Sequence, residues 1–173
     1  MADMTAEPFP PADDVDAPLT EAEMRAFVGR RADYYVDRWT RSGGMGANWA
    51  AFWLVGFWLP YRKMYRATFI LFAAIIADSV VEEVLNLPNQ VSRGAAIAAA
   101  VICCSWANLW YFKHASAKIR ALRTRELAED EHLNAVAAAG GTSLLAGIGL
   151  LVGAIIVTIA SVIVSDTLLG RAN

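Results

Sequence analysis

NWAAFWLVGFWLPYRKMYR, Asn48–Arg66, is the most aromatic part of the chain, and whether it crosses a bilayer fixes the arrangement of everything around it. Its apolar run stops at Leu59, well short of the roughly 20 apolar residues that a spanning helix needs. Trp49, Trp53, Phe57, Tyr61 and Tyr65 recur every four residues, so a continuous helix would stack them along one ridge. Pro60 lacks an amide donor and crowds the carbonyl of Gly56, which predicts a kink. Arg62, Lys63 and Arg66 follow at once. If Trp49–Leu59 crossed, these three would lie outside with Lys113, Lys118, Arg120, Arg123 and Arg125, which inverts the positive-inside rule for eight cations. If it stays in the inner leaflet, only Arg93 and Arg171 are external. The segment is therefore expected as an interfacial or shallow re-entrant helix.

The apolar content of the rest supports a membrane setting. Of 173 residues, 57% are hydrophobic and only 18% charged, against about 25% in soluble domains. Apolar runs lie at Ala67–Ala77, Gly94–Phe112 and Leu144–Val164, with the charge concentrated between them. The last two are long enough to span, and the first is too if it continues through Asp78 to about Leu87. The expected fold class is all-α, a polytopic membrane protein with three transmembrane helices, an N-terminal amphipathic helix and the aromatic interfacial helix. The expected divisions are an acidic disordered tail over 1–19, a cytoplasmic amphipathic and aromatic region over 20–66, and a transmembrane hairpin over 67–112. A cytoplasmic helical arm over 113–143 and a third span with a short external tail over 144–173 complete the chain. PNQVSR would form the outer turn of the hairpin.

The N-terminal region carries no secretory pattern. Met1–Glu23 holds seven acids and no Lys or Arg, where a signal peptide needs a basic start and an apolar stretch. Thr20 opens TEAE, a capping box, and predicts a helix to about Arg41. Met24, Phe27, Val28, Tyr35 and Trp39 fall on one stripe, with Arg31 and Arg38 beside it. Such a face suits either the lipid headgroup boundary or the protein's own cytoplasmic surface. SGGMGAN then predicts a flexible joint. The residues expected at the lipid interface are Arg31, Tyr35, Arg38, Trp39, Trp49, Trp53, Trp58, Tyr61, Arg62, Lys63, Tyr65, Arg66, Trp110, Lys113 and Lys118. In the arm, the basic KHASAKIRALRTR lies nearest the membrane and the acidic ELAEDEH follows, so cations there would meet anionic lipid.

Candidate sites are few. Asp78, Glu82 and Glu83 are the acids within a span, and Arg93 is within reach of the glutamates, with Asn108 as a polar group on the second span. Carboxylates at membrane depth are costly unless paired, protonated or wet, which makes this set a candidate polar site for protons or cations. Small rows at Ala146, Gly149, Gly153 and Ala160, and at Ala96, Ala100 and Cys104, suit close helix packing within or between chains. Cys103 and Cys104 lack the spacing and ligands of a metal or redox site. His114 and His132 show no zinc-binding spacing, and His132 amid acids reads as a surface residue. No catalytic, cofactor-binding or metal-binding residues are expected, and no nucleic-acid partner.

FVGRRADYYVDRW followed by NWAAFWLVGFWLPYRKMY, and later ANLWYFKHASAKI, resembles a bacterial membrane-protein family, "domain of unknown function 2628". The resemblance covers about Phe27–Ile119 and implies a small bacterial inner-membrane protein, with no activity or catalytic residues to carry over. The expectation is a non-enzymatic adaptor or accessory subunit, N-terminus cytoplasmic and C-terminus periplasmic. Its partners would be anionic inner-leaflet lipids and either a membrane protein or a second copy. A transport component using Asp78 and Glu82, and a membrane-remodelling protein, are the alternatives.

Overall fold

A computed structural model describes the backbone over residues 17–85 and 88–168, and within these not the side chains at 55, 83, 89, 92, 157, 158 and 160–168. The described residues are helical, with no strand among them. The helices are α1 (Glu21–Val28), α2 (Ala32–Ser42), α3 (Trp49–Trp53), α4 (Val55–Tyr61), α5 (Tyr65–Leu85), α6 (Asn89–Arg123), α7 (Glu129–Ala139) and α8 (Leu144–Leu168). The described residues fall into two compact units, 17–48 with 104–141, and 49–85 and 88–103 with 142–168. The expected acidic tail lies outside the described residues up to 16, as do the end of the first span at 86–87 and the tail from 169.

The first unit is a small helical bundle. Thr20 caps α1 in both directions, its hydroxyl taking the Glu23 amide while the Glu23 carboxylate takes the Thr20 amide. The single helix expected to about Arg41 breaks at Gly29, whose φ of 70° a side chain would resist. Arg25 bridges the break, pairing with Glu21 and with Asp33 of α2 at 2.6 Å each. Along α6, Cys104, Asn108, Tyr111, Ala115, Ile119 and Leu122 are all buried, spaced at threes and fours as one helical face requires. Tyr111, fully buried, sits at the centre of an aromatic cluster with Phe27, Tyr35 and Trp39 at ring separations of 5.0–6.0 Å. The amphipathic stripe of α1 and α2 is thus turned into this core. The arm beyond Phe112 continues α6 to Arg123 and returns as α7 after a turn in which Glu126 has φ 50°.

The second unit is built differently. Trp49–Tyr61 forms two short helices, because Leu54 leaves helical geometry (φ −129°, ψ 35°), so the aromatic residues do not stack along one ridge. Phe57 and Tyr61 stack on each other within α4, at 5.6 Å and 19°. The α4 helix packs against the start of α8, where Ser143 donates its amide to the Tyr61 carbonyl and Gly147 leaves room for the Phe57 ring. Most of PNQVSR belongs to the first turns of α6 rather than to a separate turn. Large apolar side chains of α5 and α8 remain exposed, Phe69 at 76% and Leu145 at 85% among them.

Two ranges, Arg93–Arg123 and Glu129–Ile156, are long and apolar enough to cross a membrane. Only 28% and 11% of their apolar stretches are buried, which sets them apart from the core helix of a soluble protein. The expected first span, α5, is long enough at 21 residues, but every 18-residue piece of it carries at least three of Arg66, Asp78, Glu82 and Glu83.

At Gly140, α7 approaches the backbone of α1 closely. A Cβ there would run into the Phe27 backbone, within 2.7 Å of its carbonyl carbon and 2.8 Å of its Cα, beside the 2.6 Å bond from the Gly141 amide to the Phe27 carbonyl. Gly140→Ala should therefore lower unfolding free energy by about 1–3 kcal/mol, as overpacking does. At Gly149 nothing lies within 4 Å of an added Cβ, and alanine there should be neutral or stabilising by up to about 1 kcal/mol. Denaturant titrations of the purified protein, followed by circular dichroism, distinguish the two variants; equal midpoints would remove the α1–α7 contact.

Candidate functional site

Two buried polar assemblies organise the first unit. In the first, the Arg123 guanidinium meets the Glu23 carboxylate in a fork, Nε to Oε1 at 2.9 Å and Nη2 to Oε2 at 2.7 Å. His132 Nε2 lies 3.0 Å from Glu23 Oε1, and since an ionised carboxylate only accepts, the proton of that contact sits on Nε2. Arg123 also donates to the carbonyls of Ala17 and Pro18, through Nη1 and Nη2. Glu23, Arg123 and His132 are at most 5% exposed, so a buried carboxylate joins α1 to α6 through an ion pair and to α7 through a hydrogen bond. Burial alone would raise the Glu23 pKa. Hydrogen bonds from Arg123 and the Thr20 amide, the Arg123 charge and the His132 bond outweigh it and hold the carboxyl below its ordinary value.

The second assembly fastens the glycine-rich loop to α6. Asn48 donates its side-chain amide to Asn108 Oδ1 at 2.8 Å, and Asn108 donates its own to the Gly46 carbonyl at 3.0 Å. The Asn48 backbone amide bonds to the Cys104 carbonyl, and the Trp39 indole to the Asn108 carbonyl. Gly44, at φ 83°, passes over Leu109 so closely that a Cβ would lie 3.0 Å from its Cα. The SGGMGAN stretch is accordingly a clasp rather than a flexible joint, held by the Asn48 amide on the Cys104 carbonyl and by Asn108, which accepts from Asn48 and donates to Gly46.

The expected intramembrane set is not drawn together. Asn108 is occupied by the clasp, Asp78 and Arg93 are exposed, and no bond or ion pair joins Asp78, Glu82 and Arg93 among the described residues. Glu82 is half-buried, with Oε1 enclosed and unpartnered among the described residues. The Glu83 and Ala160 side chains lie outside the described residues. Of the expected interface residues, Arg31, Trp49, Trp53, Tyr65, Arg66, Trp110, Lys113 and Lys118 are exposed, while Arg38, Tyr61 and Lys63 are half-buried. Tyr35, Trp39, Trp58 and Arg62 are buried in the protein, Arg38 lies over the Tyr34 ring and Arg62 over that of Tyr61. In the expected small rows, Cys104 is buried, Ala100, Ala146 and Gly153 are half-buried, and Ala96 and Gly149 are exposed.

Sequence reasoning missed the Glu23–Arg123–His132 group, and His132 is corrected from a surface residue to one that is 2% exposed. The acids around it belong to the exposed first turn of α7, while its own side of that helix turns inward with Val136. The usable signal was the apolar face of α6, whose continuation through Ile119 and Leu122 reaches Arg123.

A family described as a protein of unknown function, DUF2628, matches residues 17–116, more than half of the chain. The chain belongs to the DUF2628 family. No curated protein and no solved structure matches it. The DUF2628 match contains the whole asparagine clasp and Glu23, whereas Arg123 and His132 lie beyond its end.

The ion group predicts acid sensitivity of defined sign. The Glu23 pKa is lowered from 4.5, so its contribution is complete above that value and is lost as pH falls through the folded-state value. Glu23→Gln should weaken the fold at neutral pH and flatten its stability across the acid window. Arg123→Leu, which strands a buried carboxylate, should cost about 3–5 kcal/mol. Unfolding midpoints against pH for wild type and both variants measure this, and an unchanged acid slope in Glu23→Gln would show that the slope arises elsewhere.

Proposed function

We propose that the protein is a multi-pass membrane adaptor or accessory subunit of the bacterial inner membrane, without enzymatic activity, whose first unit is a cytoplasmic head for a membrane-protein partner. The observation that carries the reading is the contrast between the units. The first gathers Phe27, Tyr35, Trp39, Tyr111 and Ile119 into a core of its own and leaves few large apolar side chains exposed, Trp106 and Trp110 among them, whereas those of α5 and α8 in the second are largely uncovered among the described residues. Exposed apolar surface on this scale needs lipid or protein against it. Three spans, α5, the first part of α6, and α8, would bury it, with the N-terminus inside and the C-terminus outside.

Helix lengths support the same arrangement. The α3 and α4 helices have five and seven residues, too few for a hydrocarbon core of about 30 Å at about 1.5 Å per residue. The exposed Trp49, Trp53, Tyr65 and Arg66 suit an aqueous boundary, where amphipathic rings and cations are favoured. The 35 residues of α6 extend about 52 Å, so roughly 20 Å of it exceeds what a bilayer core can hold. That surplus holds the later part of the buried face, Tyr111, Ala115, Ile119 and Leu122, with Cys104 and Asn108 preceding it.

A second reading, transport of protons or small cations, rests on Glu82, whose enclosed Oε1 has no partner among the described residues. The pair Asp78→Asn and Glu82→Gln separates the two readings, since an adaptor keeps its partner in crosslinked membranes whereas a conductor loses flux in vesicles. Topology is tested by reporters inserted after Arg66 and in the turn between Arg123 and Glu129. Both should report the cytoplasm, and a periplasmic signal from either overturns the arrangement.

A further inference from the structure

The first unit carries a groove of about 460 Å³ whose floor includes Leu19, Met24, Trp39 and Phe112 and whose rim includes Lys113 and Arg120. None of its lining residues is acidic. Lys113 and Arg120 are exposed and form no ion pair among the described residues. Groove size falls within the roughly 300–1,000 Å³ typical of sites for small molecules.

The direction of α6 narrows the occupant. At 3.6 residues per turn, Trp106, Trp110, Lys113, Ala117 and Arg120 fall within about 40° of one line along the helix. All five are exposed. The line thus begins with two indoles on the side of the apolar stretch and ends with two cations beside the groove. Lys113 and Arg120 are about 10 Å apart along the axis, close enough for both long side chains to converge on one phosphate. Aromatic surface passing into paired cations, with an apolar recess alongside, matches a molecule that has an anionic head and an apolar tail. A soluble phosphate would leave the indoles and the recess unused, and an acidic peptide would leave the alignment with the apolar stretch unexplained.

We propose that the groove between α1, α2 and α6 is a specific site for one anionic phospholipid, its phosphate held between Lys113 and Arg120 and its acyl chain lying against Trp106, Trp110 and the Phe112 floor. The proposal rests on the membrane reading above and deepens it, since it assigns a stoichiometric lipid to the head rather than general attraction to a charged leaflet. The lipid would fix the head at the cytoplasmic surface.

The test uses full-length protein in nanodiscs of phosphatidylcholine with a minority of phosphatidylglycerol, extracted into detergent and read by native mass spectrometry. Wild type should retain one phosphatidylglycerol in preference to phosphatidylcholine, by roughly thirty-fold for two cations near the surface. Lys113→Gln with Arg120→Gln should abolish that preference while the helical circular dichroism is unchanged. The control Lys118→Gln with Arg125→Gln removes equal charge; Lys118 lies about 120° from the line and Arg125 beyond the end of α6, so retention should persist. Equal retention of both lipids by wild type, or equal loss in the two double variants, overturns the site while leaving the membrane reading intact. Wild type recovered from cells in the soluble fraction, without incorporation into nanodiscs, overturns both.

Discussion

The fork between Arg123 and Glu23 is the constraint on which the first unit depends. It joins residues 100 apart in sequence, and both side chains are almost completely enclosed. A buried ion pair of this kind is weak evidence for stability, because desolvation offsets much of the Coulomb attraction. Its effect is better described as register. The fork fixes where the end of α6 meets the start of α1, and His132 adds α7 to the same carboxylate. Arg123 also takes the carbonyls of Ala17 and Pro18, so the chain entering α1 is held by the same guanidinium that closes the bundle. An apolar side chain at 123 could fill volume, but it could not select Glu23, Ala17 and Pro18 by directed hydrogen bonds.

The asparagine clasp provides a second fixed point on α6, about 15 residues before the first. Between them lies Tyr111, fully buried among aromatic rings from α1 and α2. Ring packing is tolerant in angle, as the spread of interplanar angles from 47° to 71° around Tyr111 indicates. Directional hydrogen bonds at either end supply the selection that the rings do not. This division of labour accounts for polar residues in an apolar face of α6. Asn108 and Arg123 sit where apolar residues would be expected, and each connects to a distant backbone or side-chain group.

Legibility from sequence followed the range of the interactions involved. The helical class, the capping box at Thr20 and the extension of α6 beyond Phe112 rest on local spacing and composition, and all were readable. The break at Gly29 was obscured because the apolar stripe of α1 and α2 continues through it at helical spacing. The division of Trp49–Tyr61 at Leu54 was obscured likewise, since an aromatic residue every fourth position imitates one continuous helix. His132 was read from its acidic neighbours, but burial depends on which side of α7 faces α1, and that partner lies 109 residues away. The asparagine clasp was half visible. Asn108 was recognised as a polar group in need of a partner, yet nothing local indicated that the partner would be a glycine-rich loop.

These considerations bear on why α6 is so long. A spanning helix that ended at the interface would leave the head attached through a flexible joint, and the glycines at 43–46 could serve as one. The structure instead spends those glycines on close approach to α6 and continues the helix to Arg123, with no break in its hydrogen-bonded backbone. Every anchor of the first unit, whether the clasp, the aromatic cluster or the ion group, is therefore made to α6 between Cys104 and Arg123. A lipid seated at Lys113 and Arg120 would bind on the same stretch of α6, on the exposed side away from those anchors.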